Sequence, residues 1–150
     1  MNTDIVIRRL GPEDAKALSL LEEACFSVPW TEQGFLDALV AETSLFLGAF
    51  GPGDKLVGYC GVYMAADEGE ITNVAVDADC RNRGIAKTLI NRLCEAAAAR
   101  GVRQIFLEVR ESNAAAQNAY GQCGFTDCGR RKGFYRLPDE DALVMKWEMD

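Results

Sequence analysis

The alternation of apolar and polar residues divides the chain into short, well-punctuated elements. Ile5, Val6 and Ile7 open an apolar run that predicts a strand at about residues 4–9. Pro12 then starts a helix, with Glu13 and Asp14 in its first turn, where acidic side chains complement the helix dipole. Ala17, Leu18, Leu21 and Ala24 or Cys25 follow at helical spacing. The stretch SVPW ends that helix, because Pro29 disfavours helical backbone in the residue before it. Thr31 is placed to cap a second helix carrying Phe35, Leu36 and Leu39.

Two strands, SLFLGAF and KLVGYCGVYM, come next, joined by GPGD as a hairpin turn. GEITNVAV is a further strand. Ile85, Leu89, Ile90, Leu93, Ala96 and Ala97 form one broad apolar face of a helix from Gly84 to Arg100, which Gly101 stops. RQIFLEV reads as a strand. Ser112 is expected to cap the helix NAAAQNAYGQC, which Gly124 ends. GFTDCGRRKGFY and DALVMKWEM close the sequence as two strands, expected to be antiparallel. The order is β-α-α-β-β-β-α-β-α-β-β. Hairpins in the first half imply antiparallel pairing, and the strand–helix–strand unit from Ile71 to Val109 implies a parallel, right-handed crossover. The fold class expected is α/β: one mixed, twisted sheet of about seven strands with helices on both faces.

Length and composition narrow the function. A chain of 150 residues, 49% apolar and 26% charged, reads as one domain over residues 1–150 with a substantial core. No apolar run approaches a membrane span, and the opening MNTDIVIRRL lacks the apolar segment of a signal peptide, so a cytoplasmic location is expected. The net charge of −7 disfavours direct nucleic-acid binding and suits a cationic partner, or simply keeps the protein in solution. The six cysteines form no C-x-x-C pair and read as reduced thiols, most of them small core residues. Histidine is absent. That removes the commonest general base and the commonest zinc ligand, and no metal site is expected. Acid–base chemistry is left to carboxylate, tyrosine, lysine or cysteine.

The segment Arg81-Asn82-Arg83-Gly84-Ile85-Ala86 sets two arginines and a glycine at the start of a helix, directly after the apolar run Val74-Ala75-Val76. A helix start carries partial positive charge and unpaired N–H groups, so basic side chains there call for an anion. Gly84 has no side chain to obstruct a phosphate, and Ala86 is nearly as small. The segment is neither a P-loop nor a dinucleotide fingerprint. On spacing alone it reads equally as a solvated basic loop whose glycine makes a turn.

The pattern R-x-x-G-x-A after NVAVD resembles the acetyl-CoA pyrophosphate loop of the GCN5-related N-acetyltransferase (GNAT) superfamily, although that family often has glycine where this chain has Ala86. LEVRESNAAAQNAYGQCGF is similar to the superfamily's second landmark, an asparagine and a tyrosine after the fifth strand. Element order agrees from end to end. Within the superfamily, CFSVPWTE, NVAVDADCRNRGIA and LEVRESNAAAQNAY resemble the RimI-type ribosomal-protein alanine N-acetyltransferases.

That resemblance implies acetyl-CoA as co-substrate and the N-terminus of a basic ribosomal protein as acceptor. It implies that backbone groups of Val74, Ala75 and Val76 bind the pantetheine arm as an added strand would. Arg81, Asn82, Arg83, Gly84, Ile85, Ala86 and Lys87 would hold the pyrophosphate, and Asn113 would contact the cofactor. It further implies Glu108 as the base that deprotonates the amine and Tyr120 as the acid that protonates the leaving thiolate. By periodicity alone, Glu108 reads as an exposed strand glutamate in a salt bridge, and Tyr120 as a core aromatic on the Ala116–Tyr120–Cys123 face. A backbone N–H near Val74 could stabilise the oxyanion. Trp30 and Tyr135 are candidates for acceptor contacts, in SVPW and KGFYRLPDED, and read equally as edge-of-core aromatics.

Amine acidity favours an α-amine acceptor. An α-amine with a pKa near ~7.8 is roughly one-seventh neutral at pH 7, whereas a lysine near ~10.4 is neutral to less than about one part in a thousand. Lysine side chains, small amines and broader N-terminal specificity remain open at this level, as does a non-catalytic acetyl-CoA-binding module.

Overall fold

A computed structural model of the chain describes residues 5–26 and 29–149. Asp4 of the first expected strand, and Ser27 and Val28 of SVPW, lie outside the described residues. The first strand is β1 (Val6–Arg9), followed by α1 (Ala15–Cys25) and α2 (Glu32–Val40). A short turn of tight helix over Pro12–Asp14 leads into α1. The Asp14 carboxylate accepts the Gly11 N–H at 2.9 Å and pairs with Arg8, which fixes the entry to α1 against β1. Thr31 Oγ1 caps α2 by accepting from the Gly34 N–H at 3.0 Å.

β2 (Ser44–Gly51), β3 (Lys55–Ala65) and β4 (Glu68–Val76) form an antiparallel meander, with GPGD as its first turn. α3 (Ile85–Ala99) crosses to β5 (Gln104–Arg110), which pairs parallel with β4. α4 (Ala114–Gln122) leads to the antiparallel pair β6 (Thr126–Tyr135) and β7 (Glu140–Glu148). The seven strands form one mixed sheet in the order β1-β2-β3-β4-β5-β7-β6. The expected α/β class and element order both stand.

Alternation along the strands supplies two cores. On one face, Leu89, Ile90, Leu93 and Ala97 of α3 pack on Leu47, Val62, Ile105 and Leu107. On the other, Leu18 and Leu21 of α1 and Phe35 and Ala38 of α2 pack on Phe46, Phe50, Tyr59 and Ala75. No helix among the described residues is long and apolar enough to cross a membrane.

One expectation needs correction. The cap of α4 is Asn113, not Ser112: Asn113 Oδ1 accepts from the Ala116 N–H at 3.1 Å, while the Ser112 N–H is drawn to Glu140 on β7. Most of the cysteines are core residues, as expected, with Cys80 packing against one core and Cys25 against the other. Cys60, Cys94 and Cys123 are buried, but Cys25 and Cys80 are half-buried and Cys128 is exposed, because β6 is an edge strand with little packed on it.

Candidate active site

The site begins with a defect in β4. Gly61 pairs with Asn73 but its neighbour Val62 pairs with Ile71, so Thr72 is an extra residue in β4. The bulge coincides with the end of the central ladder. β4 and β5 pair only over Glu68–Ile71 and Gln104–Leu107. Beyond that point β4 continues with β3 as far as Val76, and β5 continues with β7 as far as Arg110. Two neighbouring strands thus leave each other, and their facing backbone edges are released from sheet pairing. The Thr72 hydroxyl is buried there without a hydrogen-bond partner among the described residues.

The edge of β4 has a definite direction. The Asp77 N–H donates to the Val57 carbonyl of β3 at 2.8 Å, while the Val76 carbonyl accepts from Arg81 Nε at 3.1 Å. Val76 therefore turns its peptide groups away from β3. By the two-residue alternation of a strand, Val74 does the same and Ala75 faces β3. Val74 and Val76 thus turn their peptide groups away from β3, with the Val76 carbonyl held by Arg81, while the peptide groups of Ala75 face β3.

That edge lines a cleft of about 730 Å³ between β4, the start of α3, and α4. Val74, Ala75, Val76, Arg81, Asn82, Gly84, Ile85, Ala86, Lys87, Asn113 and Tyr120 all line it. Arg83 is exposed and does not. Gly84 caps α3 at φ +76°, and a Cβ built on it meets nothing within 4 Å. The first turn of α3 carries no acidic residue, so the N-terminal charge of the helix is left for an anion. Lys87 Nζ donates to Gln122 Oε1 at 2.7 Å and ties the start of α3 to the end of α4.

Cys25, Phe26, Cys80, Asn118 and Gln122 also line the cleft, and sequence reasoning did not single them out. Asn118 and Gln122 stand one turn apart on α4, a spacing visible in the sequence. Cys25 reaches the cleft only through the packing of α1 on β4, where its Sγ lies 3.7 Å from the Val76 carbonyl.

Glu108 and Tyr120 flank the parting of the strands from opposite sides of the sheet. Leu107 and Val109 pack into the α3 core, so Glu108 projects from the other face. Its side chain is only 12% exposed and pairs with Arg131 Nη1 at 3.2 Å. It is therefore not the exposed strand glutamate that periodicity alone suggests. Burial, and then the neighbouring Glu70 charge, push its pKa above the ordinary carboxylate value, while Arg131 pulls it back. Tyr120 packs against the α3 core, its ring 6.0 Å from Phe125. Burial drives its phenol pKa well up, so the hydroxyl stays protonated.

Tyr135 lies between these two groups electrostatically, since the charge states of Glu108 and Tyr135, and of Tyr135 and Tyr120, affect each other. Burial and Glu108 raise the Tyr135 phenol to about 12, and Arg110 stacks on its ring at 4.5 Å. Trp30 sits elsewhere. It packs on Phe35 with ring centroids 5.3 Å apart, at the entrance to α2, and neither it nor Tyr135 lines the cleft.

An open strand edge leading to a helix N-terminus suits a long ligand with amide groups and a phosphate end. Comparison with known proteins agrees. Residues 15–125 match the Acetyltransferase (GNAT) family. The [ribosomal protein bS18]-alanine N-acetyltransferase of Escherichia coli K12 is 31% identical over 147 residues, covering 97% of this chain and 96% of that protein. The crystal structure of the ribosomal-protein-S18-alanine N-acetyltransferase from Escherichia coli superposes with a TM-score of 0.89 at 30% identity, covering 97% of this chain and 94% of that one. The NatC complex bound to Gag peptide and CoA shares the fold, with a TM-score of 0.88 at 23% identity over 99% of this chain and 100% of that chain. With the seven-stranded mixed sheet, the parted central strands and the family match over most of its length, the chain belongs to the GNAT family of acetyltransferases.

Proposed function

We propose that the protein transfers the acetyl group of acetyl-CoA to the N-terminal α-amine of a protein, the alanine of a small-subunit ribosomal protein by analogy with its Escherichia coli relative. The observation that carries this reading is the parting of β4 and β5 with its released peptide edge, where Tyr120 lines the cleft and Glu108 stands on β5 one residue past the last β4–β5 pair. Residues 1–150 act as one catalytic domain in this reading.

The Val74 and Val76 peptide groups hold the pantetheine arm of acetyl-CoA, which requires Arg81 to release the Val76 carbonyl. The freed guanidinium, Lys87 and the N–H groups around Gly84 then hold the pyrophosphate. Asn113 supports this end by fixing the start of α4. Glu108, made more basic than an ordinary carboxylate by its burial, takes a proton from the incoming ammonium group, directly or through one water. The neutral amine attacks the thioester carbonyl, and the oxyanion that develops is met by a β4 backbone N–H near Val74; as the intermediate collapses the C–S bond breaks and the nitrogen releases its second proton to water. Tyr120 remains protonated until the thiolate departs, then supplies its proton. Trp30 and Tyr135 border the acceptor peptide.

Thiol release from acetyl-CoA tests this with three peptides: one with a free N-terminal alanine followed by basic and aromatic residues, its N-acetylated twin, and an N-blocked peptide containing lysine. Turnover is expected with the first alone. Tyr120→Phe should lower kcat by about 100-fold with acetyl-CoA affinity unchanged, the low end of the range of a lost general acid. Equal rates on the N-blocked lysine peptide contradict the acceptor assignment, and an unchanged Tyr120→Phe rate removes the acid role.

A further inference from the structure

The most deeply buried carboxylate among the described residues stands outside the cleft. Glu22, on α1, is 2% exposed. Its two oxygens receive three donors from three separate places. Oε1 accepts from the Tyr59 hydroxyl of β3 at 2.5 Å. Oε2 accepts from the backbone N–H of Trp30 at 3.1 Å and from Asn73 Nδ2 at 3.3 Å. Trp30 stands just before α2, and Asn73 lies on β4 between the Thr72 bulge and Val74.

A carboxylate this buried is costly unless its lone pairs are filled, and an apolar side chain would fill the same space without that cost. What the carboxylate adds is direction. It binds a main-chain N–H at the α2 entrance, which an apolar side chain cannot do, and joins it to the strand that carries the cofactor edge. We infer that Glu22 is a positioning residue, which fixes the acceptor wall at Trp30 to the cofactor strand at Asn73. The inference rests on the reading that Trp30 borders the acceptor. Through this clamp the peptide meets a wall already held at a set distance from Val74, so the ordering cost is met before binding.

The test uses the full chain with Glu22→Ala and Glu22→Gln, each also in a Trp147→Phe background, where Trp30 is the sole tryptophan. Glu22→Ala should raise KM for the N-terminal-alanine peptide by about tenfold, with kcat and the acetyl-CoA KM changed less than about twofold, the signature of lost binding alone. Trp30 emission should shift to longer wavelength as the ring loosens from Phe35. Glu22→Gln should restore both values. Its Oε1 can accept from Trp30 and Asn73, and its Nε2 can donate to the Tyr59 oxygen.

If Glu22→Ala does not fold, Asn73→Ala removes one tie on a half-buried position, and a peptide KM raised by a few fold is expected. A wild-type KM and wild-type Trp30 emission in the folded variants, with only a lowered melting temperature, would overturn the inference and leave Glu22 a plain stabilising residue. If the wild type turns over no α-amine peptide, the acceptor reading fails by itself, and Trp30 emission still decides whether the clamp exists.

Discussion

Glu108→Gln should lower kcat/KM for an α-amine peptide by about 10²- to 10³-fold, within the range of a lost general base. Gln keeps the shape of the side chain and can still meet Arg131, so the cleft and acetyl-CoA affinity should survive. The pH profile carries the stronger signature. Burial and the Glu70 charge hold the Glu108 pKa above its ordinary value, against the pull of Arg131. Activity requires the ionised carboxylate, so kcat/KM should fall as pH drops through a group titrating above 4.5, the ordinary glutamate value. Glu108→Gln should lose that step and keep the higher one, which belongs to the acceptor α-amine near ~7.8. Arg131→Ala removes the only cation paired with Glu108 among the described residues and should move the acid step to higher pH. An acid step unchanged in Glu108→Gln assigns it to another group.

The second large effect is expected at Gly84. A Cβ there meets no atom within 4 Å, so packing does not forbid its addition. Backbone conformation does impose a cost: at φ +76° a residue with a Cβ sits in the left-handed region, at roughly 1–2 kcal/mol. Gly84→Asp adds a carboxylate where the first N–H groups of α3 would receive a phosphate. The acetyl-CoA KM should rise by about 30- to 100-fold, through charge repulsion and through competition for those N–H groups. Gly84→Asn separates charge from backbone, because asparagine tolerates the left-handed region and is neutral. It should raise KM by only a few fold. Equal effects of Asp and Asn would mean that backbone conformation, not anion binding, makes this position need glycine.

Much of this architecture is written locally. The α3 face from Ile85 to Ala97, the Thr31 cap and the GPGD turn each follow from a few neighbouring residues, so their elements are legible without the fold. The cleft was legible in part, because the end of β4, the Gly84 loop and the start of α3 are contiguous in sequence. Features made by distant residues were not. The Thr72 bulge is a mismatch of register between two strands, and no property of Thr72 itself announces it. The Arg131–Glu108 pair joins positions 23 apart through the β5-β7-β6 order, which hydrophobic pattern does not specify. Periodicity therefore reads Glu108 as an exposed residue when it is largely covered. Glu22 is a further case. On α1 it follows the buried Leu21, and only the arrival of Tyr59, Trp30 and Asn73 turns a helix glutamate into a core residue. Ser112 and Asn113 are both good caps by residue type, and the cap is Asn113 because Glu140 on β7 holds both the hydroxyl and the N–H of Ser112.

The claim that an α-amine is the acceptor is tested most directly by locating the acetyl group. One peptide is offered that carries both a free N-terminal alanine and an internal lysine, with acetyl-CoA and the wild-type protein, and the product is fragmented by mass spectrometry. Acetyl on the alanine nitrogen, with the lysine unmodified, is the predicted result. Acetyl on the lysine side chain with a free N-terminus would contradict it and turn the same cleft and the same Glu108 to a side-chain acceptor.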